Sequence, residues 1–393
     1  MTLPAHLYVH VPFCLRRCPY CDFAVQPGRR PPIADWLDAV DAELALAFAA
    51  HAWEPPLSVC TLYLGGGTPS LLGTGGMAAL RRRLERWVRW DEGVLEWTAE
   101  ANPESFDAGV ARAWADAGVT RVSLGVQTFH APALRWMGRL HGADGAVAAV
   151  EVARRGGIRD VSIDLIFALP ARLGRDWDDD LRRALTLAPD HLSLYGLTAE
   201  AGTPLGRWVA SGREAMPDED AYAAEYLRAV EATAAAGLRQ YEVSNFARPG
   251  HESVHNAAYW TGAPYLGIGP GAHSFLPPVR SWNRRDWPGY REDLAAGRSP
   301  RAGEETVVGA AARLERIWLG LRTVRGLPVA DLSEGQRALA GDWHGRGWAE
   351  IEGPDAGSEA EGQRRLRLTR AGFLLLDRLA LELDGAAGVD EAA

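Results

Sequence analysis

Cys14, Cys18 and Cys21 fall within eight positions of one another, in Cys14-Leu-Arg-Arg-Cys18-Pro-Tyr-Cys21-Asp-Phe23, directly after the strand-like run Leu7-Tyr-Val-His-Val-Pro-Phe13. Thiolates ligate soft metals, and three of them on one loop can each hold a separate iron of a [4Fe-4S] cube. Such a cube keeps one corner open for a ligand from elsewhere, because no fourth cysteine lies nearby. Cys60, in the apolar run Val59-Cys-Thr-Leu-Tyr-Leu64, reads as core. The three thiols with His10 could instead make a Cys3His zinc site, an accepted ligand set for that metal. A redox pair, or three thiols buried as small hydrophobes, are further readings, as is a core role for His10 within its alternating strand.

Other polar residues suit a charged ligand. Gly65-Gly-Gly-Thr-Pro-Ser70 follows a strand pattern and lets backbone approach a ligand closely, although it lacks the lysine and spacing of a phosphate P-loop. Taken alone it is equally a tight strand-to-helix turn. Glu100, Gln127, Arg139 and Asp164 supply carboxylates for an ammonium or ribose hydroxyls, an arginine for a carboxylate and an amide for either. The segment His255-Asn-Ala-Ala-Tyr-Trp260 offers an imidazole, which can ligate haem iron, beside aromatic rings that can pack a porphyrin face. It is also what a hydrogen-bonded loop over a filled core would look like. His273, in Gly267-Ile-Gly-Pro-Gly-Ala-His273, is a second candidate ligand or a structural part of its glycine-rich turn.

The elements that must position these residues alternate. Helices are expected over 32–50 (with Trp36, Val40, Leu44 and Phe48 on one stripe), 75–90, 107–117, 131–156, 176–187 and 218–235. Strands are expected over 59–64, 95–101, 121–126, 161–167, 191–197 and 237–244. This alternation predicts an α/β fold, a complete or partial (β/α) TIM-like barrel with its active face at the C-terminal ends of the strands, an open sheet sharing the same signature. The candidate chemistry falls at or near those ends. Three parts are expected: a barrel domain over 1–245, a connecting segment of weak periodicity over 246–300, and a small helical or winged-helix-like domain over 301–393 with a frayed tail from Asp384.

Of 393 residues, 47% are hydrophobic and 24% charged, as in ordinary globular proteins, and the length suits one large domain and a smaller one. No apolar run spans a bilayer and no secretory leader is evident, so a cytoplasmic protein is expected. Clustered cysteines in a reducing compartment read as metal-binding or catalytic rather than as a disulfide framework. A net charge of -9 argues against nucleic acid as partner, and the C-terminal module is expected to dock or cover. The chain has no lysine, so every fixed side-chain cation is arginine.

The CxxxCxxC spacing with Phe23 two residues later resembles the radical S-adenosylmethionine superfamily, and its coproporphyrinogen-dehydrogenase-like branch in particular. The resemblance extends over nearly the whole chain, through Gly65–Ser70, Glu100–Ser105, Gly125–Phe129, Asp164–Pro170, Tyr241–Phe246 and HNxxYW. It implies a [4Fe-4S] cluster on Cys14, Cys18 and Cys21, and S-adenosylmethionine at Tyr8, Tyr20, Gly66, Gly67, Thr68, Glu100, Gln127, Arg139 and Asp164. Phe23 where the dehydrogenase has cysteine, the 13 residues before Cys14 where the dehydrogenase has a longer segment, and HNxxYW resemble the haem-chaperone subfamily. That subfamily implies haem at His255, transfer to apo haem proteins such as respiratory enzymes, a homodimer, and peripheral association with the inner membrane. The alternative is the branch's oxygen-independent oxidative decarboxylation of coproporphyrinogen III.

Overall fold

Near-continuous apolar runs make the central strands. In the computed structural model, which describes residues 2–90, 96–353 and 364–387, β1 (His6–Val11), β2 (Thr61–Gly66), β3 (Glu96–Ala101), β4 (Arg121–Gln127), β5 (Asp160–Phe167) and β6 (His191–Gly196) lie parallel and side by side in chain order. Six of the seven β4 residues are buried, as expected of a parallel strand covered on both faces. The intervening helices are α1 (Ile33–His51), α2 (Gly73–Leu84), α3 (Ala108–Ala117), α4 (Ala131–Trp136), α5 (Ala143–Gly156) and α6 (Trp177–Thr186). Trp36, Val40, Leu44 and Phe48, spaced by four, are all buried on α1. Asp107 starts α3 by accepting the Val110 N–H.

The sheet curls into a partial barrel. In a flat sheet β2 and β6 would lie roughly 19 Å apart, four strand spacings, yet Tyr63 on β2 senses both Tyr195 on β6 and Asp164 on β5. The barrel stays open: beyond β6, after α7 (Pro204–Ala210) and α8 (Glu219–Ala235), come β7 (Arg239–Gln240) and β8 (Asn245–Ala247), with β8 antiparallel to β6.

Several expectations change in detail. The helix expected over 75–90 ends at Leu84, and Val88–Arg89 instead pairs with Leu57–Ser58. The strand expected over 237–244 stops at Gln240, because the buried Glu242 carboxylate accepts the Ser244 N–H and an Asn245 Nδ2–H and holds a turn. Cys60 is exposed, one residue before β2 begins, with Val59 rather than Cys60 facing inward.

Residues 246–300 carry more order than their weak periodicity suggests. After α9 (Val254–Trp260), β9 (Tyr265–Ile268) joins the far edge of the sheet parallel to β1, and β10 (His273–Leu276), β11 (Val279–Asn283) and β12 (Arg301–Thr306) extend it as an antiparallel meander, with α10 (Trp287–Ala295) before the last strand. β9 has four residues, and β10 to β12 bury only Asn283 outright, so no long apolar run marks them.

The C-terminal part combines α11 (Gly309–Leu321), α12 (Glu334–Gly345), α13 (Arg370–Phe373) and α14 (Leu376–Gly385) with an antiparallel sheet of β13 (Leu327–Pro328), β14 (Ala349–Glu352) and the central β15 (Arg365–Leu368). Ser333 and Gln336 form a capping box at the start of α12. Asp384 lies within α14, and the rest of the expected frayed tail, from 388 on, lies outside the described residues.

Candidate functional site

The cysteine loop leaves β1 and is tied down at several points. Gln26 N–H donates to Pro12 O at 2.6 Å and Gly28 N–H to Cys14 O at 2.8 Å, closing the loop on itself. Leu205 N–H donates to Pro19 O at 2.9 Å, and Arg285 donates to Asp22 O, so α7 and the β11–α10 connection brace it from outside. The thiols lie close enough to disfavour one another's ionisation, and burial above all pushes Cys14 up to about 11. Thr68 Oγ1 donates to Cys14 Sγ at 3.4 Å.

Three neighbouring thiols on a braced loop fit a cube anchored at three corners. Among the described residues, no three His, Cys, Asp or Glu side chains converge on one metal-ion position, as a single zinc would need. His10 does not complete such a site. It is 4% exposed, with Nδ1 3.0 Å from Tyr8 Oη and Nε2 2.8 Å from Ala24 O, and it serves as a core strut.

Around this loop the strand ends gather the expected constellation. The Gly66 N–H donates to Glu100 Oε2 at 3.0 Å and Tyr63 Oη–H to Glu100 Oε1 at 2.9 Å, while Tyr8 stacks on Tyr63. Gly66 adopts φ +105°, open to glycine, and a Cβ there would run into the His10 ring. At Gly67 a Cβ would meet Phe13 O at 2.6 Å and Val11 O at 2.7 Å, so the backbone there lies directly against the chain entering the cysteine loop.

Arg139 donates through Nη2 to Asn102 Oδ1 and Gly125 O, both at 2.6 Å, while its buried Nε has no partner. Asn102 in turn donates to Thr68 Oγ1 at 3.1 Å. Tyr20 lies within electrostatic reach of Arg139, Cys18 and Cys21. Ser123 Oγ–H donates to Asp164 Oδ1 at 2.8 Å. Gln127 ends β4 at a register irregularity with φ 69°, a strained left-handed conformation for a residue with a side chain.

Burial pushes the Glu100 carboxyl up to about 7 and the Asp164 carboxyl up to about 6. Two buried carboxylates beside an arginine with an orphaned N–H are half of a zwitterion-binding arrangement. Asn102, Tyr63 and Ser123 are not marked individually by any sequence pattern. Asn102 lay inside the Glu100–Ser105 segment, whereas Tyr63 and Ser123 look like ordinary strand residues.

His255 stands elsewhere. The first residues of the six parallel strands, His6, Thr61, Glu96, Arg121, Asp160 and His191, form a polar ring at the opposite mouth, and the chain around 241–259 plugs it. Glu96 accepts from Ser253 Oγ and from the Val254 and His255 N–H groups, capping α9. Arg121 Nη2 donates to His251 O at 2.9 Å, His251 Nδ1 lies 2.6 Å from Asp160 Oδ1, and His191 Nε2 lies 2.8 Å from Tyr241 Oη.

His255 is 1% exposed, with Nδ1 2.7 Å from Thr61 Oγ1 and Nε2 2.8 Å from Tyr259 Oη, and burial pushes it down to about 3. Both ring nitrogens are therefore engaged. Its ring also lies 5.1 Å from that of Tyr63, which connects the plug to the Glu100 side of the barrel. His273 is exposed and stacks on Trp282.

The profile of the radical SAM superfamily matches residues 8–184, from β1 into α6. A protein of Mycobacterium tuberculosis named "Heme chaperone HemW" is 39% identical over 97% of this chain and 95% of its own length. Proteins of the same name from Bacillus subtilis and Escherichia coli are 32% and 37% identical, over 83% and 69% of this chain and 86% and 70% of their own lengths. The solved coproporphyrinogen III oxidase (HemN) from Escherichia coli, a radical SAM enzyme, has the same fold, with a TM-score of 0.78 over 98% of this chain and 90% of its own at 20% identity. With its three-cysteine loop at the head of a partial barrel and this likeness along nearly its full length, the chain belongs to the HemW family of haem chaperones within the radical SAM superfamily.

Proposed function

We propose that the protein binds haem and delivers it to apo haem proteins, with a [4Fe-4S] cluster and S-adenosylmethionine as its resident cofactors. The observation that carries this is 39% identity along 97% of the chain to a haem chaperone, so that the likeness includes the C-terminal module as well as the cluster domain. Respiratory enzymes as acceptors, a homodimer and peripheral contact with the inner membrane are finer parts of the same proposal. Among the described residues no helix is long and apolar enough to cross a membrane, so any membrane contact through helices would be peripheral.

At the cysteine end, Cys14, Cys18 and Cys21 would anchor three irons. A cluster held there supplies an open iron corner and an electron for S-adenosylmethionine. The protein's own groups then act by placement. Thr68 steadies the Cys14 sulfur, and Gly66 and Gly67 bring backbone against the ligand. Glu100 offers a carboxylate oriented by Tyr63, and Tyr8 and Tyr20 line the approach. Gln127 at the end of β4, Asp164 within β5 and Arg139 in the loop after α4 would present amide and charge. Asn102 links Thr68 to Arg139 and so couples the cluster loop to the ligand side.

His255 would ligate iron only after giving up Tyr259 or Thr61. A haem titration on anaerobically reconstituted protein, followed by absorbance, tests this with His255→Ala and Tyr259→Phe beside the wild type. If His255 is the ligand, His255→Ala loses the shift in haem absorbance while Tyr259→Phe keeps or strengthens it. If His255 serves the plug, both variants lose stability and keep the haem spectrum of the wild type. A coproporphyrinogen decarboxylation assay on the same samples is expected to show no decarboxylated porphyrin. Product formation, with haem uptake absent, would make the protein the decarboxylase instead.

A further inference from the structure

α9 has two faces. His255 and Tyr259 point into the barrel plug, while Ala257, Trp260 and Thr261 line a cavity of about 870 Å³ between α9, the β10–β11 hairpin and α11 of the C-terminal module. That volume lies within the roughly 300–1,000 Å³ typical of sites for compact organic ligands. Its wall is mainly apolar, built on Trp260, Phe275, Ile317, Leu327 and Leu332. The indole N–H of Trp260 is buried without a partner among the described residues, and Arg322 covers that ring at 4.4 Å.

The charges around the cavity are uneven. Arg313 is bridged to Asp384, and Arg365 donates to the Arg325 and Gly326 carbonyls. The Arg316 and Arg325 side chains are exposed, and their guanidinium groups make no hydrogen bond or ion pair with any described residue. Of the acidic residues present, Glu315 is held by Arg280 and Glu252 accepts the Gly250 N–H, which leaves Asp331. An apolar chamber bordered by two uncommitted guanidinium groups suits a flat apolar molecule carrying two carboxylates.

We propose that this cavity is the haem berth, with the macrocycle against the Trp260 and Phe275 wall and the two propionates on Arg316 and Arg325. This rests on the haem-chaperone reading and adds to it where the cargo sits and what recognises it. Among the described residues the lining contains no histidine, cysteine or methionine, so none of these three usual ligands competes there for the iron with an acceptor that supplies its own. Retention by ring and carboxylates, rather than by metal, is a binding mode that permits hand-over.

The test uses full-length reconstituted protein titrated with haem, haem dimethyl ester and iron-free protoporphyrin. Wild type is compared with Arg316→Ala/Arg325→Ala and Arg316→Lys/Arg325→Lys, all checked for folding by circular dichroism. The wild type is expected to bind haem and protoporphyrin alike at one per chain, and the diester about tenfold or more weakly. The alanine pair should lose about the same factor for haem and be indifferent to esterification, and the lysine pair should recover part of it. Unchanged haem affinity and ester discrimination in the alanine pair would overturn the berth while leaving the chaperone reading intact. Absence of stoichiometric haem binding by the wild type would remove both.

Discussion

Gly67 shows how little room single residues have at the cysteine end. Its missing side chain lets Phe13 O and Val11 O pass where a methyl group would be 2.6 and 2.7 Å away, and those carbonyls lead into Cys14. Gly67→Ala must therefore push the cysteine loop. It is expected to cost about 1–3 kcal/mol and to lower the iron content per chain after anaerobic reconstitution; full iron with an unchanged melting midpoint would mean that the loop yields without consequence. Gln127 makes the opposite case. With φ at 69° it stores strain, so Gln127→Gly should gain up to about 1 kcal/mol in denaturant unfolding, after the entropy of the added glycine is set against the relief. The same variant should bind S-adenosylmethionine more weakly, which equilibrium dialysis would read. The cysteine spacing alone pointed to a metal at this end, whereas the residues expected around S-adenosylmethionine came from the family resemblance, since a glycine turn or a single charged residue has structural uses as well. The strain at Gln127 and the Asn102 bridge between Thr68 and Arg139 were not legible, since both arise from how separate strands meet.

Elements are held to one another by buried carboxylates that belong to neither partner alone. Glu43, on α1, accepts from Gly269 N–H at 2.8 Å, from Asn283 Nδ2 at 2.5 Å and from Tyr290 Oη–H, joining α1 to the end of β9, to β11 and to α10. Burial nevertheless pushes its carboxyl up to about 7. A folded-state value above the unfolded one means the folded chain holds the proton more tightly. The contribution is complete below about pH 4.5 and is lost as pH rises to about 7, by at most about 3 kcal/mol. The stability difference between wild type and Glu43→Gln should therefore shift against the wild type over that interval in urea unfolding at several pH values; a constant difference would show that Glu43 does not titrate there. Glu96 plays a similar part at the opposite mouth, where it caps α9 beside the buried Arg121 at 3.7 Å. Glu96→Ala is expected to cost about 1–3 kcal/mol, because it removes the α9 cap and one of the two carboxylates facing Arg121, Asp160 remaining at 3.8 Å, and Glu96→Ala/Arg121→Met should recover part of the loss. The alternation of β1 to β6 with their helices was readable because parallel strands buried on both faces are apolar runs. β8 to β12 escaped because β8 and β9 are short, β10 to β12 bury almost nothing, and β9 pairs with β1 from more than two hundred residues away.

Over the whole molecule, the cluster and cargo duties proposed above fall to opposite ends of the barrel, and the C-terminal module is fastened to the second. The cysteines and most of the residues proposed for S-adenosylmethionine lie at or toward the C-terminal ends of the strands, while the plug at their N-terminal ends orients α9 and hence the Trp260 wall. Arg322, at the end of α11, joins the parts: it pairs with the fully buried Glu242 at 2.9 Å and lies over Trp260 and Trp318 at 4.4 and 5.5 Å. Its backbone O also accepts the Val243 N–H, so chain and side chain clamp the same junction. Arg322→Ala would leave the buried Glu242 without its cation, with only the Ser244 and Asn245 hydrogen bonds remaining, at a cost of about 3 kcal/mol. Because the lost contacts lie between module and barrel, hydrogen exchange should quicken in α11 and around Tyr241–Asn245 while β1 to β5 keep their protection. Glu242→Gln/Arg322→Leu, which removes both charges together, should restore much of the protection. Uniformly faster exchange through the barrel strands would instead make the two parts one cooperative unit, and the arginine a general core contact rather than a joint.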